Sequence, residues 1–561
     1  MTDQPLPYGG ASSIGRGIRE GRLSPMTDSP GTELENAATS PPLTGIAAGV
    51  ALVVAFRIPA FLEPHWYSDE STYAYVGRTV FGGGDLYTAP GAWDNKPPVQ
   101  YWLYGIVTHF LGYSEAAIHL VPFVSAIAAV IAVGWGVAKL TGSRRRAAVA
   151  CVLAALIIGP PIFDSELFLP EGALIGPMAW AGMLMLVTIA SPWWAARHRW
   201  APYVAGFLAS IALGMQQTVL ADIVAICVIL LIARPASWMD LLRFLGTGLV
   251  VTLLWLVPTV IASGLGPTWF AIVGFYTIYV HNSLPENVMA RVLHFAGIAV
   301  GVIAVVVGAA LIARRTRNPF WMLWMLAGID LSVAGSAHFP YPHLLLPSIP
   351  WVCAALVATP WDRWKMLVPQ TRLRLWAGSV VLAAGILVAA AEGSYAGSFW
   401  INGRSLSTYY SGGYQSLVNS TERTRWQDTF SGNIVFDQDV TRWLIAHHYA
   451  GSSAVVWNVA DEWIYLLTPL HTVLPTVGLF NDDVMLGNRT DIGPYVARHR
   501  PLVIVLNQIS VMERPSILPV IAEYYVAVYH VGTDTIYIER SRLTHVIPAT
   551  ARRHAHAGSA V

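Results

Sequence analysis

Repeated apolar runs, many of them long enough to cross a bilayer, constrain this 561-residue chain more than any other feature of its sequence. Only 12% of the residues are charged and 55% are hydrophobic, whereas a soluble globular protein has about 25% charged residues. A transmembrane helix needs about 20 mostly apolar residues. We therefore expect an all-α polytopic membrane bundle of about eleven transmembrane helices. The predicted spans are 44–61, 116–139, 147–163, 171–191, 202–214, 218–233, 241–262, 291–312, 320–336, 344–359 and 375–391.

Basic clusters indicate how this bundle is oriented, because cytoplasmic loops carry an excess of Lys and Arg. The clusters all fall on one side only if residues 97–112 lie at the membrane interface instead of crossing. Gln, His and paired Pro interrupt that segment. We therefore predict interfacial helices in the first outer loop, with the acid-, amide- and histidine-rich loops facing outside. The basic clusters are 143–147, 196–200, 313–317, 361–374, and Arg234 with Arg243.

The two ends of the chain differ in composition from the bundle predicted over 43–392. Residues 1–42 are rich in Gly, Ser, Pro and Thr and lack the early apolar core of a signal peptide. They are predicted to form a disordered cytoplasmic tail. Residues 393–545 are predicted to form an extracytoplasmic α/β domain, followed by a flexible tail over 546–561. The predicted strands of that domain include the β-branched runs at 453–460, 501–507 and 533–540.

Several classes of function find no support in the sequence. The formal charge is only +1, and the sequence shows no basic face interleaved with aromatic residues. It therefore gives no support for binding to nucleic acid. The sequence contains no P-loop and no GxGxxG motif after a predicted strand, so no motif points to a nucleotide cofactor. Cys151, Cys227 and Cys353 fall inside apolar runs without metal-ligand or disulfide spacing, so they are predicted to be small core residues.

An acidic pair, Asp69 and Glu70, follows the first span within the sequence HWYSDESTYAY. Such a pair can simply mark the boundary between lipid and water. Adjacent side chains on a helix point about 100° apart. If Asp69 faces a cavity, Glu70 is therefore expected to face a loop or an arginine such as Arg78.

Two stretches around this pair resemble a known family. SDESTYAYVGRTV, at 68–80, and GGDLYTAPGAWDNKPPVQYWLYG, at 83–105, resemble the first outer loop of the polyprenyl-phosphate-dependent C-type glycosyltransferases. That family includes aminoarabinose transferases and protein O-mannosyltransferases. HFPYPHLLLPSIP, at 338–350, resembles a later outer loop of the same family. The resemblance implies a membrane enzyme that takes sugar from a lipid phosphate carrier and uses no nucleotide cofactor.

The resemblance also implies roles for individual residues. Asp69 would be the base that removes the proton of the acceptor hydroxyl during inverting transfer. The phosphate leaves as an anion and needs positive charge or hydrogen-bond donors. Lys96 is the candidate for that contact, with Tyr341 and His343 assisting. Lys96 could instead be an interfacial anchor whose ammonium group reaches water.

Further candidates would support the substrate, namely Glu70, Tyr73, Glu171, His281 and His338. Glu171 matches the place where the family has an acid after the third span. Asp164 and Glu166 are rivals for this role, and any of the three acids could merely cap a helix.

A divalent cation is a further expectation, and its ligands stay open. His281 and His338 could bind such an ion together with a carboxylate. However, Asn95 precedes Lys96 where the aminoarabinose branch has Glu, and a neutral amide is a poorer metal ligand. Asp94 could substitute only if the loop turned differently.

The expected reaction is transfer of a pentose such as arabinose, or of mannose, to an extracytoplasmic glycan, glycolipid or protein. The alternative is a transporter or flippase of a lipid-linked sugar. Transporters typically show internal repeats and polar residues near midspan. This chain shows no repeat, and its polar groups concentrate in loops, so the sequence favours the enzyme.

Overall fold

A computed structural model shows a mostly helical chain with one small sheet near the C-terminus. The predicted tails and the predicted spans 291–312 and 375–391 lie outside the described residues. The described residues are 43–234, 237–276, 320–335, 342–359, 406–430, 434–457, 462–477, 492–507, 517–532 and 534–545.

The helical part begins at the first predicted span and continues to residue 358. Short 3-10 turns occur at Pro59–Leu62, Pro161–Phe163 and Pro342–Ser348, and a π-helical turn occurs at Phe270–Gly274. Its helices are α1 (Leu43–Arg57), α2 (Ser68–Phe81), α3 (Pro98–Leu111), α4 (Glu115–Ile118), α5 (Leu120–Thr141), α6 (Arg144–Ile158), α7 (Pro170–Ala190), α8 (Pro192–Arg197), α9 (Ala201–Leu213), α10 (Val219–Ala233), α11 (Trp238–Ser263), α12 (Leu265–Trp269), α13 (Phe320–Gly335) and α14 (Ile349–Ala358).

Four of these helical segments are long and apolar enough to cross a membrane: Leu43–Leu62, Glu115–Thr141, Pro170–Ala190 and Trp238–Ser263. Shorter apolar helices occupy Ala201–Leu213, Val219–Ala233, Leu265–Gly274, Phe320–Leu331 and His343–Ala358. Within the described residues a helix occupies each predicted span, which agrees with a multi-pass helical bundle. The total of about eleven crossings remains a prediction.

Helices α2 and α3 form a closely packed pair in the segment between α1 and α5. A Cβ atom added at Gly77 would lie 2.7 Å from the backbone nitrogen of Gly105, so only glycine permits this approach. The 14 residues of α3 span about 21 Å, less than the roughly 30 Å of a bilayer core. The helix is therefore too short to cross unaided, and its predicted interfacial position remains compatible with its length.

The C-terminal part alternates helices and strands, as the sequence predicts. Its five-stranded sheet has the order β2-β1-β3-β5-β4, with β1 parallel to β2 and β3, and β5 antiparallel to β3 and β4. Its elements are α15 (Leu406–Gln415), α16 (Ser420–Gln427), α17 (Ile434–Ala446), β1 (Ser453–Trp457), α18 (Trp463–Leu467), β2 (His471–Thr472), α19 (Gly493–His499), β3 (Val503–Asn507), α20 (Ile517–Tyr524), β4 (Tyr525–Val531) and β5 (Asp534–Glu539).

The two faces of this sheet bury different cores because successive side chains of a strand point to opposite sides. Val456 and Val505 join the core that continues into the helical part, together with the helix α18. Val455 and Ile504 pack into a separate small core with α19 and α20. The α/β part therefore packs against the helical part on one sheet face.

The segment between α1 and α5 is tied to this α/β part through backbone groups. Gly91 donates its N–H to the carbonyl oxygen of Leu474 at 2.8 Å. The Arg78 guanidinium donates to the carbonyl oxygens of Tyr465 and Leu470 at 2.9 and 2.6 Å. The Thr472 N–H donates to the Tyr75 hydroxyl at 2.9 Å. These bonds connect the loop that contains Lys96 to the end of the chain.

Candidate active site

The acidic pair lies in the first turn of α2, which begins at Ser68. The positive end of the helix dipole favours negative charge there, so this position alone is compatible with a simple boundary role. The two side chains have different surroundings, however. Asp69 is exposed, whereas Glu70 is 1% exposed.

Asp69 is surrounded by the residues that the sequence associates with it. Water can touch its carboxylate, but protein fills most of the nearby volume, and this burial raises the pKa of Asp69 to about 6. The positive charges of Lys96 and His343 oppose the shift, while Asp94 and Glu171 add to it. An accessible carboxylate with a pKa near neutrality is suited to proton transfer.

Lys96 follows a loop fixed by hydroxyl groups and begins the Lys-Pro-Pro entry to α3. Its backbone N–H donates to the Tyr101 hydroxyl at 2.9 Å, and its carbonyl oxygen accepts from the Tyr87 hydroxyl at 2.7 Å. Its half-buried side chain is charged, since nearby acidic groups outweigh the unfavourable burial and raise its pKa. These groups are Tyr276, Glu171, Asp94 and Asp69.

The three rival acids, which lie where α6 connects to α7, are all buried but have different neighbours. Glu171 lies in the first turn of α7, and its charge acts on both Asp69 and Lys96. Asp164 contacts His343 Nδ1 at 3.1 Å. Glu166 is near Arg57 and Glu63 instead. The structure thus brings Glu171 and the Asp164–His343 pair to the Asp69 side.

Two amides that the sequence analysis did not single out connect the elements of this site. Gln216 donates to Glu171 Oε1 at 3.1 Å. Gln217 donates to the carbonyl oxygens of Asn95 and Ile272 at 2.9 and 3.0 Å. The sequence signal was their position in a short polar interruption between apolar helices α9 and α10, GMQQT.

Tyr73, the tyrosine of the family-like stretch, is buried between helices α2 and α3. Its ring lies against Tyr101 and Tyr104, with ring centroids 6.1 and 5.9 Å apart. Burial, followed by the charges of Asp69 and Asp94, raises its pKa well above the usual range. Tyr73 is therefore an uncharged side chain that lines the site.

Glu70 faces away from Asp69 and its neighbours and towards a loop. This is one of the two orientations that the sequence predicted for it. Its Oε1 accepts the Phe168 N–H at 2.6 Å and lies 3.4 Å from His119 Nε2. The suggested alternative partner, Arg78, instead donates to the carbonyl oxygens of Tyr465 and Leu470.

A family-like metal site before Lys96 is poorly supported by the residues found there. Asn95 offers an amide, and the Asp94 carboxylate accepts the Tyr101 hydroxyl at 2.8 Å. His281, His338 and Tyr341 lie outside the described residues. Within the described ranges, the group of His, Cys, Asp and Glu side chains that is close enough to hold a metal is Glu70, Glu115 and His119.

The geometry thus defines a class of protein: a helical membrane bundle in which the segment between α1 and α5 presents a carboxylate and a lysine beside the acidic connection of α6 to α7. The fold is similar to that of ArnT from Cupriavidus metallidurans bound to undecaprenyl phosphate, with a TM-score of 0.55 and 16% identity. The match covers 88% of this chain and 97% of that chain. The apo structure of ArnT gives a TM-score of 0.53 at the same identity and coverage.

The Archaeoglobus fulgidus oligosaccharyltransferase in its apo form matches with a TM-score of 0.49 and 12% identity, over 87% of this chain and 73% of that chain. No protein-family model and no curated protein match the sequence. The fold shared with ArnT confirms, at the level of the fold, the resemblance to C-type glycosyltransferases seen in the sequence. At these identities the roles of individual residues must be argued from the site itself.

Proposed function

We propose that this chain is an inverting membrane glycosyltransferase that uses a polyprenyl-phosphate sugar as donor. The observation that supports this function best is the group formed by Asp69, Lys96 and Glu171 on a fold similar to that of ArnT, whose structure contains undecaprenyl phosphate. An accessible carboxylate and a protonated lysine are the two groups that direct displacement of a phosphate by a hydroxyl requires.

The proposed reaction is a single displacement at the anomeric carbon. Asp69 accepts the proton of the acceptor hydroxyl as its oxygen forms the new glycosidic bond. The bond between the anomeric carbon and the phosphate oxygen breaks, and its electron pair leaves with the lipid phosphate. Lys96 stabilises the negative charge on that phosphate, and attack from the opposite face inverts the configuration.

Glu171 and His343 have supporting roles in this proposal. Glu171 and Asp94 keep Lys96 protonated by their negative charge. His343, contacting Asp164, adds a hydrogen-bonding group on the side where Asp69 lies. The sugar is proposed to be a pentose such as arabinose, or mannose, and the acceptor an extracytoplasmic glycan, glycolipid or protein.

Donor transfer is the direct test of this function. Purified protein is supplied with radiolabelled polyprenyl-phosphate mannose or polyprenyl-phosphate arabinose, in separate reactions, together with extracted envelope glycolipids. Label transferred from one donor alone identifies the donor class. A folded protein that transfers neither sugar but moves the lipid carrier across vesicles would instead support the transporter.

The membrane orientation is a separate part of the proposal. The chain is proposed to reside in the cell membrane, with Asp69 and the α/β part outside and the arginine run in the first turn of α6 inside. After the native cysteines are replaced, single cysteines at 145 and 109 are treated with an impermeant thiol reagent in intact cells; position 109 is an exposed residue of α3. Labelling at 145 would overturn the orientation, and protection at 109 would argue against the interfacial position of α3.

A further inference from the structure

A second group of ionisable side chains lies on the other side of the acidic pair, away from Lys96. Glu70, Glu115 and His119 are 1%, 6% and 2% exposed. One potential ligand atom from each lies within 4.8 Å of those of the other two. We propose that these three side chains bind one divalent transition-metal ion, best matched by Zn²⁺, at a site distinct from the proposed sugar-transfer site.

Unused ligand atoms point to an ion at this site. Glu70 Oε2, Glu115 Oε2 and His119 Nε2 are buried and make no hydrogen bond of good geometry within the part of the chain that the structure describes, although His119 Nε2 is within ion-pair distance of both carboxylates. A buried polar atom without a partner costs about 1–3 kcal/mol, and three in one place are rare in native proteins. A bound cation would satisfy all three together.

The separations fit metal ligands better than hydrogen bonds. His119 Nε2 lies 3.3 Å from Glu115 Oε2, and the Glu70 carboxylate approaches the same Nε2 at 3.4 Å through Oε1, the oxygen that also accepts from Phe168 N–H. A well-formed N–H···O bond is 2.7–3.2 Å long. Two ligands of a tetrahedral zinc ion, each about 2.1 Å from the metal, are about 3.4 Å apart.

The remaining atoms of the same side chains are already oriented in the way that metal ligands usually are. His119 Nδ1 lies 2.8 Å from the carbonyl oxygen of Ala60, to which it donates, so Nε2 of the neutral ring presents its lone pair to the cluster. Glu70 Oε1 accepts from Phe168 N–H, and Glu115 Oε1 contacts His65 Nδ1 at 2.5 Å. Such outer contacts fix the ring tautomer and the carboxylate orientation at metal sites.

The local helix geometry brings two of the ligands together from a short stretch of sequence. Glu115 and His119 are four residues apart, across the junction of α4 and α5, so both lie on one helical face. Charge balance favours a cation as well, since a third buried carboxylate, Glu63, lies nearby. One imidazole with carboxylates suits zinc better than Mg²⁺, which prefers oxygen ligands and water.

Such an ion would position the neighbouring site without taking part in sugar transfer. It would join the start of α2 to the α4–α5 junction, and the hydrogen bond from His119 Nδ1 to Ala60 extends this link to the turn after α1. Because Glu70 is adjacent to Asp69 on α2, fixing Glu70 fixes the first turn that presents Asp69. The three ligands are therefore positioning residues.

Metal content tests the proposal without any sugar-transfer assay. The full chain, purified without a histidine tag, is treated with EDTA, desalted, and incubated with Zn²⁺ or Mg²⁺ before metal is counted by mass spectrometry. We expect about one zinc per wild-type chain and a higher thermal midpoint with zinc. Glu115→Gln and His119→Gln should each lose that zinc and the zinc-dependent shift.

Glu63→Gln is the matched control, because Glu63 is a buried acid beside the cluster whose carboxylate already accepts from Trp66 and Tyr409. The Glu63→Gln variant should retain the zinc. Loss of zinc from this variant would show that the ligand assignment is wrong. A folded wild type that binds no zinc, or that binds Mg²⁺ in its place, overturns the proposal. In the first case His119 is an imidazolium ion held between two carboxylates.

X-ray absorption at the zinc edge decides the matter if the ligand variants fail to fold. The wild-type spectrum should show one imidazole nitrogen among oxygen ligands. Sulfur ligation, or more than one imidazole, would place the ion elsewhere in the chain and contradict the assignment.

Discussion

Asp69 and Glu70 are neighbours in sequence and in the first turn of α2, yet they belong to two different regions. The Asp69 region is open to water and places a carboxylate beside Lys96. The Glu70 region is closed, and its carboxylate is held by a backbone N–H and faces His119. One peptide bond therefore separates a group suited to react from a group suited to hold structure.

The comparison shows that two carboxyl groups of the same chemistry are suited to different roles because their surroundings differ. Burial raises the pKa of both carboxyl groups. At Asp69 the shift leaves an accessible base that titrates near neutrality. The Glu70 carboxyl group is not accessible to substrate. The rise in its pKa therefore does not help it to exchange a proton with substrate. Four experiments can break or sharpen this distinction.

Replacing Asp69 should have the largest effect on transfer. Asp69→Asn keeps the size of the side chain but cannot accept a proton, so single-turnover transfer should fall about 10²- to 10⁴-fold. Donor binding and thermal stability should stay near wild type because the side chain is exposed. All three are measured on the same preparation.

Glu70→Gln is the paired variant for that experiment. It should lower the unfolding free energy by about 1–3 kcal/mol, measured as a lower thermal midpoint, because the buried carboxylate that accepts from Phe168 N–H and faces His119 is replaced by an amide that matches these partners less well. If Asp69→Asn transfers sugar normally while folded Glu70→Gln does not, the base has been assigned to the wrong carboxylate. If both transfer normally, the pair marks only the membrane boundary.

Removing Lys96 should have the next largest effect. Lys96→Ala takes a positive charge away from the departing phosphate. The resulting fall in kcat/KM should correspond to a loss of about 2–4 kcal/mol of transition-state stabilisation. Expression and thermal stability should change little, because the side chain is half-buried. Wild-type kinetics in this variant would reduce Lys96 to an interfacial anchor.

Gly91 tests how far the open region depends on the α/β part. Its φ is +70°, and an added Cβ would lie 2.4 Å from the Tyr75 ring and 2.5 Å from the Thr472 methyl group. Gly91→Ala should therefore lower the unfolding free energy by about 2–3 kcal/mol, measured by thermal unfolding.

Gly83→Ala is the control for backbone strain alone. Gly83 also has a positive φ, +92°, but a Cβ there would meet no atom within 4 Å. Its loss should be smaller, about 1 kcal/mol. Equal losses in the two variants would mean that contact with the α/β part does not support the loop.

The pH dependence of transfer should show the smallest effect. Since the pKa of Asp69 is raised to about 6, its carboxylate is half protonated at that pH and cannot act as a base in the protonated form. Single-turnover transfer should thus rise from pH 5 to 7, reach half its maximum near pH 6, and level off above. The residual activity of Asp69→Asn should lack this step; the same step in the variant would assign the titration to another group.

The sequence predicted those features that depend on local pattern. Apolar length located the helices, and β-branched runs located β1, β3 and β5. The motif resemblance placed Asp69 and Lys96 in one loop. It also left Asp164, Glu166 and Glu171 undecided, because their spacing alone does not show which side of the loop each side chain occupies.

Features that depend on distant partners were not predictable in this way. The spacing of Glu115 and His119 is a visible i, i+4 signal, but their third partner, Glu70, comes from another helix. Helix α15 lies in a Gly-rich stretch of low intrinsic helix propensity. There Gly412 and Gly413 allow close packing against Trp426 and Pro59, a tertiary reason that no local pattern reveals.

The anchoring of the segment between α1 and α5 has a consequence for the order in which the chain is made. The partners of Arg78 and Tyr75 lie 387, 392 and 397 residues further along the chain. At about 5–20 residues per second, the ribosome needs roughly 20 to 80 s to reach them. During that interval the loop bearing Lys96 has its helices but lacks its far support. In a newly inserted chain, the contacts that support the proposed sugar-transfer site would therefore form only after residues 465–472 have been made.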